Sequence, residues 1–247
     1  MSYPINYPTP QGANIQIFKQ GGTTSDWVKP QGASFVWFTL IGAGGGGGGY
    51  VSGQPGDGGG SGAVTNCMVP AFLIPDVLQV VVGFGTPGTV ASNGTSGTSS
   101  QVLYQQKNTT GYLLLTANGG GGGDVAGGGG PGAGGSNVAS NYFSCMGFFQ
   151  SVAGQAGGVY GTSTPVASTT TFLGGGGSLP SANFGYPDGS ASLNGFFQMQ
   201  PIIVGRGGAD GGSGSYALAG IGCGSGGAAV AQPSAPGGDG LVVIITW

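Results

Sequence analysis

Short apolar runs of strand length alternate with tracts of glycine along this chain. The run at 34–41 is rich in aromatic and β-branched side chains, which is typical of a strand. A strand that is apolar on both faces is normally covered on both faces. We therefore expect a buried strand, whose two alternating faces carry Phe35, Trp37 and Ile41, and Val36, Phe38 and Leu40.

The same pattern predicts further strands, and none of its windows has the apolar spacing of a helix free of glycine. Pro70 and Pro75 separate two of these strands. The sequence therefore predicts an all-β fold, an antiparallel sandwich or jelly-roll-like core formed by residues 21–247. Residues 1–20 form an N-terminal arm or first strand. The other predicted strands are 14–20, 63–69, 77–82, 101–106, 112–117, 196–204 and 241–247.

Glycine accounts for 61 of the 247 residues, without a strict Gly-X-Y period. Ordering a glycine tract costs about 1–2 kcal/mol of backbone entropy per residue, and its N–H and C=O groups need partners. Extended helices with three residues per turn, packed side by side and bonded tract to tract, would satisfy both demands. A bulky residue at Gly46 or Gly121 should then clash with a neighbouring backbone. Floppy surface loops are the alternative, and we read 91–100 as one such loop.

Several of these segments carry a resemblance to a known family. Trp27-Val28-Lys29-Pro30, then Ile41-Gly42-Ala43-Gly44, and a closing apolar strand at 238–247 resemble the glycine-rich domain of tailed-phage fibre and other virion proteins. The resemblance extends from about position 20 to the end of the chain. It implies a virion protein that is made in the host cytoplasm and released by lysis.

Charged residues make up only 4% of the chain, which has four Lys and Arg, seven Asp, no His and no Glu. No basic cluster is present for a nucleic acid or an anionic membrane surface. The commonest general bases are missing, so catalysis is not expected. The three cysteines are too far apart for a disulfide framework or zinc site and are expected to be small buried hydrophobes.

Neither a cofactor nor a metal is expected. The run from Gly119 to Asp124 fits the start of a calcium β-roll repeat, but it is a single copy, and Ala126 stands where a large apolar residue belongs. The aromatics of the strands, Phe35, Trp37, Phe38 and Trp247, are expected in the core. Aromatics in glycine-rich, turn-rich segments could recognise a sugar or protein, or could pack over the tracts. These are Tyr50, Tyr160, Tyr186 and Tyr216.

Residues 1–11 carry three prolines and no secretory signal, and read either as a flexible tail or as an arm that docks on another virion protein. The function expected from the resemblance is a non-enzymatic fibre, spike or decoration protein on the surface of a tailed phage. An adhesin that recognises a glycan or protein of the bacterial surface is the alternative, and ice binding is a remote third. We expect a homo-oligomer, a trimer by analogy with phage fibres.

Overall fold

A computed structural model supplies the fold described below. It describes residues 12–104, 111–125, 130–138, 147–158, 221–222, 224–225, 227–228, 233–234 and 236–247. Nine strands and one short 3-10 turn, Ala71–Leu73, lie within these residues. The strands are β1 (Asn14–Phe18), β2 (Thr24–Val28), β3 (Phe35–Ile41), β4 (Val64–Pro70), β5 (Val77–Val81), β6 (Ser100–Tyr104), β7 (Tyr112–Ala117), β8 (Phe148–Val152) and β9 (Leu241–Thr246).

The strands form two antiparallel sheets that pack face to face. One sheet has the order β1-β9-β3-β4-β8 and the other the order β2-β5-β6-β7. The closing strand β9 lies between β1 and β3, so that Phe38 of β3 faces Ile244 across the ladder. Strand β9 is thus an interior strand of the larger sheet. The predicted all-β, antiparallel sandwich is confirmed.

The core lies between the two sheets and is built from the inward face of each strand. Val36, Phe38 and Leu40 of β3 are fully buried there. Trp27 of β2 is also buried and meets Phe38 in an edge-to-face contact, with ring centroids 6.1 Å apart. Its indole N–H is the one buried side-chain polar group without a hydrogen-bond partner in the described residues.

Most strand predictions are confirmed, and the misses have a local reason. Strand β2 was not predicted because T-S-D-W-V is largely polar and only Trp27 faces the core. Strand β8 was not predicted because it lies in an aromatic stretch in which apolar and polar residues do not alternate. The strand predicted at 196–204 lies outside the described residues.

One core prediction was wrong. Phe35 is 40% exposed, because it lies on the outer face at the start of β3 and stacks on Trp247. Trp37 and Trp247 are half-buried on that side, and Phe38 alone of the four predicted aromatics is fully buried. The outer face of β3 is therefore covered at Ile41 but open at Phe35.

Glycine-rich stretches leave and re-enter the sandwich at one end, opposite the end where β3 begins. We number these nine stretches in chain order as tracts. They are tract 1 (42–49), tract 2 (56–62), tract 3 (83–89), tract 4 (92–98), tract 5 (118–124), tract 6 (130–135), tract 7 (154–158), tract 8 (222–228) and tract 9 (233–240), the last two described in part. Tracts 1, 3, 5, 7 and 8 run away from the sheets, and tracts 2, 4, 6 and 9 run back toward them.

Hydrogen bonds repeat every third residue along tract 1, whose residues are all buried. The N–H groups of Gly42, Gly45 and Gly48 donate to carbonyls of 57–63, each at 2.9 Å. Those of Ala43, Gly46 and Gly49 donate to carbonyls of tract 4, at 2.9 to 3.1 Å. A period of three with tract 1 free of positive φ is the geometry of the extended polyproline II helix.

Six tracts enclose tract 1 in a closed ring of hydrogen-bonded neighbours. Going round the ring, tract 2 bonds to tract 5, tract 5 to tract 4, tract 4 to tract 3, tract 3 to tract 9, tract 9 to tract 8, and tract 8 back to tract 2. Tracts 6 and 7 extend the array beyond tract 2, to which both are bonded. The packed glycine tracts expected from the sequence are thus present. The expected loop at 91–100 was wrong, because 92–98 forms tract 4 of this bundle.

Close approach of backbones explains why these positions are glycine. A Cβ added at Gly45, Gly48 or Gly122 would overlap a backbone carbonyl of the neighbouring tract. The two positions singled out from the sequence are less crowded. A Cβ at Gly46 would lie 3.0 Å from the oxygen of Pro87, and one at Gly121 2.9 Å from the nitrogen of Ala133. Small side chains will strain these two sites less than their neighbours.

Candidate functional site

The described turns between outgoing and returning tracts lie at the end of the bundle that is farthest from the sandwich. Tract 1 leaves β3 and tract 2 returns to β4, so residues 50–55 form the first of these turns. Residues 90–91 join tract 3 to tract 4, and Val125 follows tract 5. We call the described residues 50–55, 90–93 and 125 the tip. Because the tracts position it, the tip is a surface on a rigid support rather than a set of free loops.

The turn at 50–55 is closed by backbone hydrogen bonds. The N–H of Val51 donates to the carbonyl of Gln54 at 3.1 Å, and the N–H of Gln54 donates back at 2.9 Å. Ser52 and Gly53 take positive φ values of 50° and 86° between them. Two successive residues with positive φ are the mark of a type I′ turn, which here reverses the chain between tracts 1 and 2.

Hydrogen bonds join the three parts of the tip to one another. The N–H of Tyr50 donates to the carbonyl of Val90 at 3.0 Å, which fixes the first turn against the second. The side-chain oxygen of Asn93 accepts the N–H of Val125 at 2.8 Å, which fixes the second against the third. The hydroxyl of Thr89 donates to the carbonyl of Ser92 and tightens the second turn. The tip is therefore one connected surface.

Most exposed side chains of the tip are polar, and none is charged. Ser52, Gln54, Ser92 and Asn93 are exposed, and Val90 and Ala91 are exposed apolar residues beside them. Asp57, at the start of tract 2, is buried below the turn. Hydroxyl and amide groups of this kind can exchange hydrogen bonds with sugar hydroxyls or with a peptide backbone. They do not supply a nucleophile with an adjacent base.

Few side chains elsewhere in the described residues are candidates for metal binding or catalysis. No group of three or more His, Cys, Asp or Glu side chains comes together there to hold a metal ion. Asp124, which the calcium interpretation needed, ends tract 5, and its backbone N–H donates to the carbonyl of Gly130 at 3.2 Å. Burial raises the pKa of the Cys67 thiol to about 12, so this cysteine remains a neutral thiol at physiological pH.

One of the four aromatics proposed for recognition falls at the tip. Tyr50 opens the first turn, and it is half-buried with its hydroxyl beside Gly53. It therefore packs over its own turn and offers only part of its ring to a ligand. Tyr160, Tyr186 and Tyr216 lie outside the described residues. Of the predicted cysteines, Cys67 is buried as expected, and the other two lie outside the described residues.

Sequence reasoning missed most of the tip. Asn93 was read as part of a loop at 91–100, because tract 4 has only two glycines in seven residues, and Val90 was given no role. The signal that could have found them is the three-residue repeat N-G-T-S-G-T-S at 93–99, which places Gly94 and Gly97 one turn apart. A repeat of that period beside a polar turn predicts a returning tract.

Comparison with known proteins gives a family. The sequence matches the family model described as a glycine-rich domain over residues 19–247. The chain belongs to the glycine-rich domain family. No match was found among curated proteins. Within the described part of the chain, no helix has the length and apolar character that crossing a membrane requires.

Proposed function

We propose that this glycine-rich domain protein is a non-enzymatic component of a tailed-phage virion, exposed on the particle as a fibre, spike or decoration. The observation that supports the proposal most is the bundle itself. Tract 1 is surrounded by six hydrogen-bonded neighbours, which makes a support that needs neither a metal nor a network of charges. Such a support keeps its shape when salt and pH change, as the outside of a particle requires.

Two further features fit this proposal. The described turns between tracts lie at the end of the bundle away from the sandwich, so the sandwich end can attach while the tip faces outward. The chain has four bases and seven acids in 247 residues, so screening by salt has little to act on. We expect a homo-oligomer on the particle, a trimer by analogy with phage fibres. Light scattering that shows a stable monomer at micromolar concentration would contradict that analogy.

Imaging of intact particles tests the proposal. Antibody raised against the purified protein is applied to phage particles from a culture that produces this chain, and bound antibody is located by gold labelling in the electron microscope. We expect label at repeated positions on the particle surface, with none when the antibody is first absorbed with the purified protein. Label in the lysate but none on purified particles would refute a virion location.

A receptor-binding adhesin is the second candidate function, and the connected, uncharged tip favours it. Exposed Ser, Gln and Asn side chains on a rigid support suit a neutral glycan or a protein loop of the bacterial surface. The proposed contact is made by Gln54 and its neighbours in the tip, rather than by Tyr50 alone.

Binding of the purified, fluorescently labelled protein to host cells tests the adhesin. Gln54→Lys, which puts a charge and a longer side chain at the tip, should reduce cell binding at least several-fold. Thr24→Lys adds the same charge at an exposed position of the sandwich and should bind like the wild type. Periodate treatment of the cells separates a glycan receptor from a protein receptor. Equal binding by both variants would refute recognition through the tip.

A further inference from the structure

An exposed apolar patch lies at the end of the sandwich opposite the glycine bundle. Val28 ends β2 and Val77 begins β5, and the two are paired directly across the ladder. Both face outward, and Phe72 and Leu73 of the 3-10 turn lie close to them in the chain just before β5. Phe72 is 81% exposed and Val28 60%. We call Val28, Phe72, Leu73 and Val77 the base patch.

Lys29 holds the segment that carries this patch in one conformation. Its ammonium group donates to the carbonyl of Ala71 at 3.1 Å and to that of Ile74 at 2.9 Å, one on each side of Phe72 and Leu73. It also pairs with the carboxylate of Asp76 at 2.8 Å. The N–H of Ala71 is bonded to the carbonyl of Ser34. Phe72 is thus displayed on an anchored turn, and the two charges at the patch neutralise each other.

The base patch places four exposed hydrophobic side chains at one end of the sandwich. Single exposed hydrophobic residues are normal, but a cluster around an exposed Phe marks a surface that is covered by something else. Phe84 is a fair comparison, because it is 46% exposed but lies in tract 3, at the opposite end of the sandwich from the base patch. The base patch therefore needs an apolar occupant with little charge.

The position of the first described residues points to that occupant. Strand β1 pairs Asn14 with Thr246 and Phe18 with Val242, so the chain enters β1 at the end of the sandwich that holds the base patch. Strand β1 is the edge of one sheet and β2, which ends at Val28, is the edge of the other. Residues 1–11 therefore join the described part of the chain at the end that carries the patch.

The composition of residues 1–11 matches the patch. The segment M-S-Y-P-I-N-Y-P-T-P-Q has no charged side chain, and it carries Tyr3, Ile5 and Tyr7 beside its prolines. A proline-rich chain loses little entropy when it docks on apolar side chains in extended form. Eleven extended residues reach roughly 35 Å, several times the spacing of about 10 Å between packed sheets.

We propose that residues 1–11 dock on the base patch of Val28, Phe72, Leu73 and Val77. Docking on the same chain closes the end of the sandwich, and docking on a neighbouring copy links one copy to the next. This inference goes beyond the proposed function. It concerns attachment at the base patch, whereas the proposed function concerns the location of the protein on a particle and binding through the tip.

Photo-crosslinking on the full chain tests the docking. A photoreactive benzoylphenylalanine replaces Tyr7, and crosslinked peptides are mapped by mass spectrometry after illumination. We expect crosslinks concentrated on the peptide that contains Phe72. Phe72→Ser should lower their yield roughly tenfold. Phe84→Ser, the matched control in tract 3, should leave the yield unchanged. Both replaced side chains are exposed, and thermal melts verify that both variants are folded.

Mixing isotope-labelled and unlabelled protein identifies the copy that is docked. Crosslinks that join labelled to unlabelled peptides support docking on a neighbouring copy, and crosslinks within one isotope alone support docking on the same chain. Crosslinks scattered over the surface, or a yield that Phe72→Ser does not change, would overturn the proposal. Neither result depends on a virion location, so this test can fail while the proposed function stands, and the reverse.

Discussion

The sandwich and the glycine bundle belong to one chain, but they are stabilised in different ways. In the sandwich, side chains such as Phe38, Leu78 and Leu115 are buried between two sheets, and removal of apolar surface from water stabilises the fold. In the bundle, tracts 1 and 2 are just as buried but have almost no side chains, and backbone hydrogen bonds fill the interior. The buried strands specify the fold by shape and hydrophobicity, and the tracts specify it by an absence of side chains.

This difference predicts opposite tolerances to substitution. A sandwich core accepts apolar exchanges of similar volume at a cost below about 1.5 kcal/mol, because neighbouring side chains can adjust. At most described positions of the bundle interior, the atoms that face a glycine are backbone carbonyls of the next tract. Several of those carbonyls, such as those of Gly45, Gly48 and Gly121, themselves accept hydrogen bonds from another tract, so they cannot shift without breaking them. A single methyl group should therefore do more harm in the bundle than in the sandwich.

Gly122→Ala should show the largest effect. The new Cβ would overlap the carbonyl oxygen of Gly94 in tract 4, although Gly122 does not have a positive φ. We expect the variant to fail to fold, or to lose most of its stability in thermal melts followed by circular dichroism.

Gly32→Ala is the control that separates crowding from backbone strain. Gly32 has a φ of +79°, but a Cβ there would meet nothing within 4 Å. An alanine at a positive φ should cost only about 1–2 kcal/mol. If both variants melt alike, the tracts are not held by close approach of their backbones.

The sequence allowed much of the sandwich to be predicted, and less of the tip. Strands such as β3 and β9 carry their own signal, because apolar β-branched and aromatic residues recur at strand length. Strand β2 carries one buried residue, and its place is fixed by pairing with β5 rather than by its own composition. Long-range pairing of this kind leaves no local pattern in the chain.

The arrangement of the tracts is even harder to predict from the local sequence than the pairing of the strands. Gly42 to Gly49 reads as a tract from its composition, but the identity of its six neighbours depends on chain order and on hydrogen bonds between residues up to about two hundred positions apart. The tip depends on that arrangement, because Tyr50, Val90 and Val125 meet only when tracts 1, 3 and 5 lie together. Of the four aromatics proposed from the sequence, Tyr50 alone is placed, and its half-buried ring makes it a smaller part of the site than expected.

Asp239→Asn should show an intermediate effect, at the junction between the two regions. The carboxylate of Asp239 accepts the N–H of Gly85 in tract 3 at 2.9 Å and the N–H of Gly21, between β1 and β2, at 3.2 Å. Asparagine keeps one acceptor oxygen and turns an NH₂ group toward a donor. The free energy of unfolding should fall by about 1–3 kcal/mol.

The measurement for Asp239→Asn compares the two regions directly. Hydrogen exchange of the amides of tract 3 should speed up more than the unfolding seen by fluorescence of the buried Trp27. Asp26→Asn, at an exposed position of β2, should change neither. Equal acceleration throughout the chain would mean that sandwich and bundle unfold as one unit.

The smallest predicted effect is the dependence of folding stability on pH, and it arises from a buried cysteine of the sandwich. Cys67 of β4 is fully buried opposite Phe38, and burial raises the pKa of its thiol from 9.0 to about 12. Between these values the unfolded chain loses the thiol proton while the folded chain keeps it. The unfolded state then binds fewer protons, so stability falls as pH rises, by roughly 1.4 kcal/mol per pH unit. The stabilising contribution is complete below pH 9 and is lost as the pH approaches 12.

From pH 6 to 8 the melting temperature should be nearly flat, because the chain has no histidine. Cys67→Val removes the thiol at similar volume, so its stability should fall less steeply above pH 9 than that of the wild type in urea titrations at each pH. Parallel curves for the two proteins would show that the thiol is not kept protonated by the core, and a steep change between pH 6 and 8 would point to another perturbed group.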